Sequence, residues 1–71
     1  MKMNANQAEA LRLLTKKLGK MELTEGKDTD GTDYVECYCS ILENRWIINQ
    51  EGECFSFAGT IWINADGQWA A

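Results

Sequence analysis

Eight consecutive residues, Tyr34 to Ile41, alternate without a break. Val35, Cys37, Cys39 and Ile41 leave the chain on one side. Tyr34, Glu36, Tyr38 and Ser40 leave it on the other. Successive side chains on a pleated backbone point to opposite faces, so this period of two specifies a strand. One face is small and apolar, suited to a core. The other carries two phenols and a carboxylate, suited to water or to a partner.

The segment before this strand reads as a helix over residues 6–18. Asn6 can cap it, with Glu9 three residues on, as in a capping box; Asn4 with Gln7 offers a second register. Ala8, Leu11, Leu14 or Thr15, and Leu18 share a stripe at helical spacing, widened by Leu13 or Ala10. Lys16, Lys17 and Lys20 gather where the helix dipole is negative, and Gly19 supplies the left-handed cap. Met21 to Thr24 alternates briefly as a short extended piece, and residues 25–33 form a polar loop.

After the organising strand, Glu43 and Asn44 make a turn, and residues 45–49 form a second strand. Residues 50–53 form a hairpin loop with a glycine, and residues 54–58 a third strand. Gly59 marks a bulge or bend. Residues 60–63 continue the third strand or form a fourth, and residues 64–67 turn again. No repeat stands out. The expectation is an α+β fold in a single domain, 1–71: one N-terminal amphipathic helix on a three- or four-stranded antiparallel β-meander, one sheet face covered and one wet.

A chain of 71 residues buries only roughly 60% of its unfolded surface, so the core is small. Three tryptophans, Trp46, Trp62 and Trp69, exceed what it can hold. No run approaches the ~20 apolar residues of a membrane helix, and a polar helix follows Met1-Lys2-Met3-Asn4 where a signal peptide needs an apolar one. These features imply a cytoplasmic protein that does not engage membranes. Three cysteines cannot close a disulfide set. Cys37 and Cys39 share a strand face, and Cys54 could reach one of them across a sheet. Reduced, buried thiols are the expectation.

The residue types argue against most chemistry. Histidine, the commonest general base near neutral pH, is absent. No glycine loop suits a phosphate, and a cysteine nucleophile would lack a histidine partner. Residues 28–33, Asp-Thr-Asp-Gly-Thr-Asp, resemble a calcium loop only in part. With Gly31 at the sixth position, Gly26 and Cys37 fall where carboxylates are required. Zinc fails on the Cys-x-Cys spacing and on Glu36 facing away from both thiols. Neither an enzyme nor a cofactor is expected.

Charge is distributed unevenly. The net charge is −4, yet residues 1–27 carry +3 and residues 28–71 carry −7. Such a field favours oriented association. Acidic and aromatic residues of the strands would attract a basic protein surface, for instance the groove of a nucleic-acid-binding protein. The expected contacts are Glu36, Tyr38, Glu43, Glu51, Glu53 and Trp62. In size, acidity and lack of catalytic groups the chain resembles small phage-encoded inhibitors, anti-CRISPR proteins among them. That resemblance implies an inhibitor acting in the host cytoplasm. Two other readings are a homo-oligomer, a homodimer for example, built through an edge strand or aromatic patch, and a nucleic-acid contact through Arg12, Lys16, Lys17 and Lys20.

Overall fold

The computed structural model describes residues 2–70. Its elements are α1 (Ala5–Leu18), β1 (Glu22–Lys27), β2 (Asp33–Cys39), β3 (Asn44–Ile48), β4 (Cys54–Ser56) and β5 (Ile61–Ile63). The class is α+β, with one helix on an antiparallel sheet in the order β1-β2-β3-β4-β5. An isolated bridge from Ile63 to Trp69 extends the sheet beyond β5. No helix of the described residues is long and apolar enough to cross a membrane.

The sheet has five strands where three or four were expected. Glu22 to Lys27 pairs with β2 along its whole length, from Glu22 opposite Tyr38 to Lys27 opposite Asp33. It is an edge strand with almost every side chain exposed, so it lacks the alternation that marks a half-buried strand. Residues 61–63 form a strand of their own, because Gly59 lies in a turn. The irregularity falls instead in β5, where Ile61-Trp62-Ile63 stands opposite Cys54-Phe55 and Trp62 is the extra residue.

The helix starts at Ala5, and its cap takes the second register, two residues before Asn6. Asn4 caps it, its Oδ1 accepting from the Gln7 N–H at 2.8 Å while Gln7 Oε1 accepts from the Asn4 N–H at 3.0 Å. The buried stripe is accordingly Gln7, Ala10 and Leu14, with Ala8 and Thr15 exposed. Asn6, displaced from the cap, rests on Gly52. A Cβ at that glycine would lie 2.9 Å from the Asn6 carbonyl oxygen.

Cross-strand pairs share a face. Val35–Ile48–Cys54–Ile63 and Cys37–Trp46 therefore lie together under the helix, and these side chains with Cys39, Ala10, Leu14 and Met21 make the core. Trp46 is fully buried at its centre. The opposite face carries Thr24–Glu36–Ile47–Phe55–Ile61 across the strands, flanked by Glu22–Tyr38–Arg45.

The three thiols are buried and unbonded. Cys54 does not face Cys37 or Cys39 directly, because β3 runs between β4 and β2. Two strand spacings amount to about 10 Å, beyond disulfide reach.

Candidate functional site

Four links in the sheet are the same turn. Residues 28–32, 49–53, 56–60 and 64–68 each join first to fifth through an N–H donated to a carbonyl, at 2.8 to 3.0 Å, and the fourth N–H returns to the first carbonyl. The fourth residue is always glycine, Gly31, Gly52, Gly59 or Gly67, with φ between 77° and 92°. This is a three-residue hairpin loop closed by a left-handed glycine. The first residue is Asp28, Asn49, Ser56 or Asn64. Asn49 Oδ1 accepts from the N–H groups of Glu51 and Glu53, and Asn64 Oδ1 from those of Asp66 and Gln68. Ser56 Oγ accepts from Thr60 alone. The recurring pattern, Asp/Asn/Ser-x-x-Gly-x, is thus a repeat of turns and not of whole elements.

In an antiparallel meander, alternate links emerge at the same end. The turns at 28–32, 49–53 and 64–68 share one end of the sheet with the start of α1. Asn4 Nδ2 donates to the Gln50 carbonyl at 3.0 Å. A cleft of about 130 Å³ there is lined by Asn6, Glu9, Glu51 and Asp66 among others. The helix has no acidic residue in its first turn, so Glu51 and Asp66 supply negative charge near its positive dipole end from other elements. Asp30 lies in the first of these turns. Hydrogen bonds from Thr32 hold its carboxyl below the usual carboxylate range.

The opposite end differs. The β2–β3 link, residues 40–43, places Ile41 at 89% and Leu42 at 53% exposure, and Glu43 adopts φ 51°. Phe57, in the neighbouring 56–60 turn, is 73% exposed. Lys16 and Lys17 occupy the last turn of α1 at this end.

The sequence-derived contact residues do not converge. Glu36 and Tyr38 share the uncovered sheet face. Arg45 Nη1 lies 3.4 Å from Glu36 Oε1, and its guanidinium sits over the Tyr38 ring at 5.4 Å. Glu43 is at the hairpin tip. Glu51 and Glu53 are in the 49–53 turn at the far end, where Asn49 Nδ2 also donates to Glu53 Oε1 at 2.9 Å. Trp62 faces the helix side, its ring 5.2 Å from that of Trp46 at 71°. Opposite charges mingle more than the chain halves suggest, since Glu9 pairs with Arg12 and Lys27 with Asp33. The Arg12 guanidinium, donating to Glu9, keeps that carboxyl below its ordinary value.

Burial pushes the Cys37 and Cys54 thiols up to about 12. Burial thus disfavours the thiolate form at neutral pH, in keeping with the place of both side chains in the core. Among the described residues no group of three His, Cys, Asp or Glu lies close enough to hold a metal ion. The Trp46 ring nitrogen is buried without a hydrogen-bond partner among the described residues, which costs ~1–3 kcal/mol.

No family model matches the chain, and neither the curated proteins nor the solved structures include a match.

Proposed function

We propose that the protein is a small non-enzymatic binding protein whose acidic end docks on a basic surface of a partner protein, such as a nucleic-acid-binding complex, and blocks it sterically. One observation carries this reading. The three matched turns at the same end each hold a carboxylate at their third position: Asp30, Glu51 and Asp66. The equivalent position of the fourth turn, at the other end, is Ala58. Alternate links of one sheet stand about 10 Å apart, so the three carboxylates form a spaced row on stiff backbone. Charges already held in place lose little freedom on binding, and a row of one sign steers a basic partner into a single orientation. Of the contacts expected from the sequence, Glu51 and Glu53 belong to this end.

The test is a triple reversal, D30K/E51K/D66K, set against E36K on the uncovered sheet face. A partner captured by the wild-type chain should associate more slowly with the triple variant, with a shallower salt dependence, and E36K should behave as wild type. Thermal stability is measured alongside, because Glu51 and Asp66 also complement the helix dipole. A folded triple variant that binds with unchanged rate and salt dependence removes the proposal.

A further inference from the structure

The sequence separates the lysines of α1 from the last two tryptophans by more than forty positions, and the fold brings them together. A groove of about 440 Å³ runs between the end of α1 and the β5 edge, lined by Lys17, Thr60, Ile61, Trp62, Trp69 and Ala70. Both indoles are mounted on fixed backbone. Trp62 is the extra residue of the bulge in β5, and its ring packs on the buried Trp46 on the helix side. Trp69 bridges to Ile63, and the Ala70 N–H donates to the Trp62 carbonyl at 2.8 Å. Trp69 keeps 37% of its surface exposed. Lys17 Nζ stands 4.8 Å from the centre of its ring.

Charge picks out this groove from its neighbours. Four other clefts are lined in part by carboxylates: Glu9, Glu51 and Asp66 in one, Glu43 in another, Glu22 and Glu36 in a third, Asp33 in a fourth. Among the described residues the tryptophan groove is lined by a cation and no acid, in a chain of net charge −4. Lys16 shares the last helical turn with Lys17, and Lys20 lies just past the cap. Arg12 is engaged by Glu9 through two bonds of 2.8 and 2.7 Å.

We propose that this groove binds a short single-stranded nucleic-acid segment, with bases stacked on Trp69 and Trp62 and phosphates met by Lys17, Lys16 and Lys20. Flat rings beside ammonium groups answer the two constant features of a single strand, a π-face on every base and a charge on every linkage. The groove is open, so a strand can pass along it. A duplex hides its base faces and offers nothing to stack. The Lys17 ammonium already lies over one indole. On binding it moves to a phosphate and a base takes its place. The proposal stands apart from the docking of the acidic end, and D30K/E51K/D66K should retain it.

The experiment titrates the whole protein with a short oligothymidylate at low salt, following tryptophan fluorescence and the anisotropy of a labelled strand. Controls are an abasic strand of equal length and a proline-rich acidic peptide. The expected result is quenching by oligothymidylate, with the abasic strand weaker. Trp69→Ala should lose about tenfold in affinity, with Trp69→Phe recovering part of it. Lys17→Met, which keeps the apolar stem, should flatten the slope of log affinity against log salt by about 0.7. Equal binding of the abasic strand would reduce the site to charge alone and overturn the proposal. Salt-insensitive quenching by the peptide, without response to the oligonucleotide, would make it a peptide groove instead.

Discussion

The two ends of the sheet solve the same problem with different residues. At the end shared with the start of α1, three links reverse the chain through a glycine in the left-handed region, capped in two of them by an asparagine side chain. At the other end the 56–60 link keeps the glycine turn, but the β2–β3 link beside it reverses the chain with no glycine. Glu43 itself takes the positive φ, and Ile41 and Leu42 project into water at the tip. A backbone satisfied by its own turn leaves its side chains free to carry charge, and the first end carries Asp30, Glu51 and Asp66. The second end carries a left-handed Glu43 and exposed apolar side chains at Ile41, Leu42 and Phe57.

The glycine turns are not equivalent, and the largest effect should fall where a turn meets the helix. Gly52→Ala places a Cβ 2.9 Å from the Asn6 carbonyl oxygen, so the start of α1 must move. Adding the left-handed penalty to that overpacking gives a loss of about 2–4 kcal/mol. At Gly31 and Gly67 the added Cβ meets nothing within 4 Å, and only the backbone penalty of about 1–2 kcal/mol applies. Urea unfolding of the three variants measures the difference. Equal losses would mean that the helix start does not rest on the 49–53 turn.

The next effect compares caps within the repeated turn. Asn49 accepts two N–H groups and donates to Glu53, while Ser56 accepts one at 3.2 Å. Counting only the two N–H bonds that Asn49 accepts, at roughly 0.5–1.5 kcal/mol for each net hydrogen bond, Asn49→Ala should cost about 1–3 kcal/mol and Ser56→Ala about half as much. Denaturation midpoints at a common slope give the ranking. A larger loss at Ser56 would show that the side-chain cap is not what sets the strength of these turns.

How far the chain could be read from its residues follows from the same contrast. The helix and β2 were legible because each buries one side, and burial writes a period into the sequence. β1 was legible only at its start, in Met21 to Thr24, because an edge strand exposed on nearly all its residues leaves little such period. The cap register went to Asn4 because Gln7, its reciprocal partner, is buried there, and that depends on what packs over it. The turn repeat was written plainly as Asp/Asn/Ser-x-x-Gly-x, but each copy by itself looks like any polar turn. The meeting of Lys17 with Trp69 had no local signal. It depends on how α1 lies across the sheet, as does the scattering of Glu36, Glu43, Glu51 and Trp62 over separate surfaces.

The smallest expected effect has the opposite sign and tests whether the tip is truly strained. A non-glycine residue at φ 51° carries a left-handed penalty of about 1–2 kcal/mol. Glu43→Gly removes it, but glycine loosens the unfolded chain by roughly 0.5–1 kcal/mol, so the net gain should be about 0.5 kcal/mol. Glu43→Asn tolerates the same conformation without the full entropic loss, so it should stabilise at least as much as glycine. The order Asn at or above Gly, and Gly above wild type, is therefore the signature of backbone strain, read from paired denaturation curves. If both substitutions destabilise, the Glu43 side chain makes a contribution that outweighs its backbone penalty. The two ends of the sheet would then differ in composition but not in strain.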